Sequence, residues 1–98
     1  MAKKSEREML LTQLGEECAE VIQAISKIER FGPEDKEPGI NDTNMTRLYL
    51  EMNDVITLMS MVAEKWGLPT IGDYALLTAK KQKVIHYMKY SKECGTVE

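Results

Sequence analysis

Histidine occurs once in this 98-residue chain, at His86, and cysteine twice, at Cys18 and Cys94. So few thiols and imidazoles, set so far apart, leave no zinc-ligand spacing and no disulfide framework. Basic residues are not in surplus: 13 Lys and Arg face 16 Asp and Glu, for a net charge of −3. That balance lacks the basic footprint of a nucleic-acid binder, so no nucleic-acid partner is expected. Long apolar runs are missing as well. The longest, Val55 to Ala63, is interrupted by Thr57 and Ser60 and falls far below the ~20 residues that cross a bilayer, so no membrane partner is expected either. No stretch alternates apolar and polar residues as a half-buried β-strand does. With no signal-peptide pattern and sparse cysteine, the expected location is cytoplasmic.

What is present is ordinary for a soluble globular protein, with 43% apolar and 30% charged residues. The length fits a single domain spanning residues 1–98. A domain of this size is often marginal by itself, and oligomerisation is a natural remedy.

Apolar residues recur at helical spacing in three places. Ser5 and Glu8 have capping-box spacing. Leu10, Leu14, Cys18, Val21, Ile22, Ile25 and Ile28 then form one stripe, in which Cys18 reads as a small core residue. Gly32 and Pro33 end this helix, and residues 32–44 read as a loop. A second helix begins near Asn44, with Leu48, Met52, Val55, Met59, Val62 and Trp66 as its stripe and Gly67 and Pro69 at its end. Trp66, in line with the stripe, is expected in the core. Thr70 and Asp73 offer a further capping box. Ile71 to about Ser91 forms one helix, or a short one followed by a longer one, with Tyr74, Leu77, Val84, Ile85 and Met88 on its apolar side. The expected fold is an all-α bundle of two long antiparallel helices plus one or two more.

The two main helices share one local pattern. Leu14-Gly-Glu-Glu17-Cys-Ala-Glu20-Val-Ile22 returns as Leu48-Tyr-Leu-Glu51-Met-Asn-Asp54-Val-Ile56. At about 100° per residue, Glu17 and Glu51 each lie roughly 60° from the first Leu, at the edge of the stripe, and Glu20 and Asp54 lie roughly 60° further out. Antiparallel packing would place Glu17 opposite Asp54 and Glu20 opposite Glu51, gathering four carboxylates in one patch. Like charges at close range repel, and partial burial adds desolvation. A hard divalent cation relieves both, and carboxylate oxygens suit Mg2+ or Mn2+. Iron is disfavoured, because di-iron bundles pair Glu with His three residues on, whereas these motifs end in Glu20 and Asp54. A lone Glu-x-x-Glu is usually a solvated helix face; it is the repetition against two apolar stripes that argues for metal.

At these residues the chain resembles the MazG-like family of all-α nucleotide pyrophosphatases. The signature stands here as Glu16-Glu17-x-x-Glu20 and Glu51-x-x-Asp54, separated by thirty residues, a slightly long spacing. The resemblance covers roughly Leu10 to Gly67, with weaker support to Met88. It implies hydrolysis of a nucleoside triphosphate between the α and β phosphates, giving monophosphate and pyrophosphate with Mg2+, or Mn2+ as substitute. It also implies Glu17, Glu20, Glu51 and Asp54 as metal ligands, with Glu16 as a further ligand or a group orienting the attacking water. The alternative is a non-catalytic helical module that binds metal, nucleotide or another protein.

Phosphates need cations. Lys27, two turns beyond Glu20 on nearly the same face, is one candidate, though a solvated lysine is the blander reading. Lys80 and Lys83 match a region where the resemblance implies basic phosphate contacts. Arg30 and Arg47 flank the loop. Asn53 is a candidate for a base edge, and Tyr49 and Tyr74 for a base face. Lys81 is expected to lay its stem over the core, and His86 to be structural or exposed. The expected assembly is a homodimer or homotetramer, with the last helix and the second stripe at the interface.

Overall fold

The computed structural model describes residues 2–98. Its regular structure is three helices, α1 (Glu6–Phe31), α2 (Asn44–Trp66) and α3 (Tyr74–Glu93), with no strand among the described residues. The third segment is therefore one helix. None of the three is long and apolar enough to cross a membrane.

Local chemistry sets the boundaries. Ser5 Oγ accepts the backbone N–H of Glu8 at 3.2 Å, which satisfies one of the donors a helix start leaves free. The return contact differs from a capping box: the Glu8 carboxylate accepts from the Ser5 hydroxyl rather than from its backbone. Glu6 and Glu8 in the first turn and Arg30 in the last complement the helix dipole. Gly32 follows α1 at φ 95°, a conformation that costs a side chain dearly, and its N–H closes on Ile28 O at 2.8 Å. Thr43 caps α2 by accepting from Thr46 N, and Gly67 ends it in the left-handed region at φ 68°. Asp73 caps α3 by accepting from Leu76 N at 3.0 Å. The expected Thr70–Asp73 box does not form, because Asp73 is itself the cap and the helix starts one residue later.

α1 and α2 pack antiparallel and are tied at both ends. At one end Trp66 Nε1 donates to Arg7 O at 2.9 Å, and the Arg7 guanidinium stands 4.4 Å above the indole. Trp66 is thus a half-buried end clamp rather than core, because its indole N–H needs a partner at the rim. At the other end Asn44, 3% exposed, donates from its side chain to Gly32 O at 3.0 Å. The loop satisfies the start of α2, with Asn44 N bonded to Asp35 O and Met45 N to Pro33 O. Between these ties lie the buried Leu10, Ala24, Val62 and Ala63.

α3 does not join them. None of its Cα atoms comes within 8 Å of α1 or α2, and none of its residues is buried. The single chain is therefore a helical hairpin with a third helix standing off it, not a closed bundle. Its radius of gyration is 17.3 Å, against about 13 Å for a compact chain of 100 residues. Lys81 covers no core, since its helix has none to cover, and His86 is exposed. Cys18, expected inside, is exposed. It borders an open apolar groove of about 390 Å³ together with Val21, Ile22, Met52, Val55, Ile56 and Met59. One antiparallel neighbour covers only part of each stripe; Ile22 and Ile56, equivalent in the repeated motif, remain 68% and 60% exposed.

Candidate metal centre

The acids lie where α1 and α2 face each other. Helical spacing puts Glu17 and Glu20 one turn apart on α1, and Glu51 and Asp54 one turn apart on α2. Packing brings carboxylate oxygens of Glu17, Glu51 and Asp54 within 4.8 Å of one another. Oxygens that share one octahedral Mg2+ at about 2.1 Å lie about 3.0 to 4.2 Å apart, so the trio would have to draw together around an ion wherever its separations exceed that range. Glu20 stands outside this trio, yet its carboxyl lies beside those of both Glu17 and Glu51.

The electrostatics show the strain. Burial, and behind it the carboxylates of Glu20 and Asp54, raise the Glu17 pKa above its ordinary value; Glu16, exposed on the outer side, adds to the push. Burial also leads at Glu51, followed by Glu20, Asp54 and Glu17. Most telling, Glu17 Oε2 and Glu51 Oε2 are both buried and have no hydrogen-bond partner. A buried carboxylate oxygen left unpaired is costly, and here two of them occupy equivalent places in the repeated motif. A hard cation is the group that such oxygens fit.

Beyond the acids opens a cavity of about 260 Å³ lined by Glu20, Gln23, Ala24, Lys27, Asn44, Arg47 and Glu51. Lys27 and Arg47 could have neutralised the acids. Instead both turn to Glu37 on the loop: Arg47 Nη1 donates to Glu37 Oε2 at 2.7 Å, and Lys27 Nζ stands 3.5 Å from the same oxygen. The Arg47 hydrogen bond first, then the charge of Lys27, hold the Glu37 carboxyl below its ordinary range. Among the described residues these are the ion pairs within 4.0 Å, so the acid patch has no cation of its own.

The remaining candidates divide. Lys27 reaches the cavity beside the acids. Lys80 and Lys83 do not, because they sit on α3, which packs on neither α1 nor α2. Asn53 is exposed and donates to Tyr49 O one turn back, which occupies the amide proposed for a base edge. Tyr49 and Tyr74 are exposed, clear of the cavity lining. Sequence reasoning passed over Glu37 and gave Arg47 too little weight. Arg47 lies four residues before Glu51, the spacing that puts both on one helix face; Glu37, in an irregular loop, carries no periodic signal. Comparison of the chain with protein families, curated proteins and solved structures finds no match.

Proposed function

We propose that this chain is a Mg2+-dependent nucleoside triphosphate pyrophosphohydrolase of the MazG-like kind, cleaving between the α and β phosphates to release monophosphate and pyrophosphate. The observation that carries the reading is the pair of partnerless buried oxygens, Glu17 Oε2 and Glu51 Oε2, inside a four-carboxylate patch that no protein cation neutralises. A bundle gains nothing in stability from such a patch, so its use is to bind an ion.

Glu17, Glu20, Glu51 and Asp54 would hold Mg2+, or Mn2+ in its place. Bound there, the ion supplies charge stabilisation to phosphate oxygens and a water of lowered pKa. The rest falls to the chain's own groups. Glu16, on the outer side of Glu17, orients the attacking water by accepting its hydrogen bond. Lys27 and Arg47, at the other side of the same cavity, draw the outer phosphates away from the acids and fix their direction. Charge placement of this kind, rather than covalent chemistry, is what phosphoryl transfer asks of a protein. The cavity of about 260 Å³ is smaller than the roughly 300–1,000 Å³ of pockets that enclose whole ligands. It suits the phosphate tail, and leaves base and sugar outside it.

The working unit is a homodimer or homotetramer. What supports this is the open apolar groove on the hairpin and a third helix with nothing to pack on. Assembly is also the route by which Lys80 and Lys83 would come near the phosphates. The deciding experiment incubates the protein with nucleoside triphosphates and Mg2+. Monophosphate and pyrophosphate are expected; diphosphate and orthophosphate, or no turnover, would overturn the reading.

A further inference from the structure

Lys27 and Arg47 converge on one oxygen, Glu37 Oε2, and that oxygen belongs to an exposed loop rather than to either helix. The arrangement is unequal. Both cations come from the rigid hairpin, where Lys27 and Arg47 line the cavity that Glu20 and Glu51 also line. Their carboxylate partner comes from the segment between α1 and α2, which is anchored at its ends by Asn44 N to Asp35 O and Met45 N to Pro33 O, while Glu37 itself is half-exposed. An arginine and a lysine aimed at a single oxygen make the contact that a phosphate oxygen accepts, with the guanidinium giving direction and the ammonium giving charge.

We infer that Lys27 and Arg47 form a binding site for the terminal phosphates of a polyphosphate anion, and that Glu37 is its built-in competitor, holding the two cations until the incoming phosphates displace it. Nucleotide as the source of the phosphates rests on the hydrolase reading above; the anion site itself does not. Two consequences follow from the geometry. With Glu37 in place the cations cannot collapse onto Glu20 or Glu51, so the acids stay free for an ion. Small anions that offer too little charge to displace Glu37 are refused, so the loop selects for di- and triphosphate groups over a single phosphate.

The test is calorimetric titration with inorganic tripolyphosphate, in metal-free buffer and again in Mg2+. Four proteins are compared: the parent, Glu37→Gln, Arg47→Gln, and Glu34→Gln, which removes the same charge from a neighbouring loop position. In whichever buffer the parent binds, Glu37→Gln should bind on the order of fivefold tighter, the scale of one exposed competing ion pair. Arg47→Gln should lose binding, and Glu34→Gln should match the parent. A structural role for Glu37 in ordering the loop gives the opposite sign, so equal or weaker binding by Glu37→Gln overturns the inference. So does an absence of tripolyphosphate binding by Glu37→Gln in both buffers, or an equal gain in Glu34→Gln. Because these readouts need no turnover, a protein that binds in this pattern but releases no pyrophosphate sinks the hydrolase reading and leaves the anion site standing.

Discussion

α1 and α2 bring apolar residues to a shared seam and close it at both ends, whereas α3 shows apolar residues on two opposite sides and closes neither. On α3, at about 100° per residue, Tyr74, Leu77, Val84, Ile85 and Met88 gather on one side, and Leu76, Tyr87 and Tyr90 on the other. All of these residues are exposed. A helix with one apolar stripe is satisfied by one neighbour; a helix apolar on two sides needs a surface on each. The hairpin is likewise half-satisfied, since its groove from Cys18 to Met59 lies open. The difference separates what the chain completes alone, a clamped pair of helices carrying the acids, from the apolar surface that it leaves open.

The largest effect expected falls on the completed half. Glu51→Gln should keep the helical fold and lose turnover by about 100-fold or more, the scale on which metal-site and supporting groups act. In metal-free buffer its melting temperature should equal or exceed the parent's, because one member of a repelling group has been neutralised. With Mg2+ the order should reverse, since an ion stabilises only the protein that still holds it well. Thermal melts with and without metal, beside a pyrophosphate assay, check both halves. Retained turnover together with equal metal shifts would reduce the four acids to a solvated face.

The next effect falls on the unfinished half. Ile56 is 60% exposed in the single chain, so in a monomer Ile56→Asp would be close to neutral. If the groove is covered by a second copy, a buried carboxylate there splits the assembly. Light scattering of the parent at micromolar concentration should give at least twice 11.2 kDa, and Ile56→Asp should fall toward the monomer. A parent that is a clean monomer with full activity would break the assembly model.

How much of this could be read beforehand varies between the same two regions. The Leu-x-x-Glu-x-x-acid-Val-Ile repeat places Glu17, Glu20, Glu51 and Asp54 in one patch, because a helix turns each residue predictably and two equal patterns packed antiparallel meet about a two-fold; the structure gathers Glu17, Glu51 and Asp54 and leaves Glu20 beside them. Gly32, Asn44 and Gly67 mark the helix ends for equally local reasons, while the Thr43 cap shows only in the structure. Three things escaped. Cys18 was assigned to the core because periodicity finds a stripe without saying how many neighbours cover it. α3 is expected in the bundle and at an interface because its apolar content signals burial without saying against what; in the single chain it packs on neither helix. Glu37 went unread because its role depends on a loop path that no repeat encodes.

The smallest effect, and the one that ties the acids to the loop, is the pH dependence of metal-free stability. Glu17 and Glu51 have pKa values raised above 4.5 in the folded protein, by burial and by their acid neighbours. A raised folded value means the native state takes up protons more readily than the unfolded chain. The penalty is therefore present at neutral pH and is relieved as pH falls through the folded values, with the gain complete near 4.5. Glu37 runs the other way. Arg47 and Lys27 lower its pKa below 4.5, so its contribution is intact above 4.5 and is lost as pH drops below that. Melting temperature measured without metal from pH 7 to pH 3.5 should thus rise, pass a maximum near 4.5 and then fall. Glu37→Gln should blunt the fall without touching the rise; Glu51→Gln should flatten the rise without touching the fall. In Mg2+ the rise should vanish, because protons and the ion compete for the same oxygens. A metal-free curve that falls steadily from pH 7 downward would show that the acids of the hairpin carry no strain, and would remove the argument that an ion is what they await.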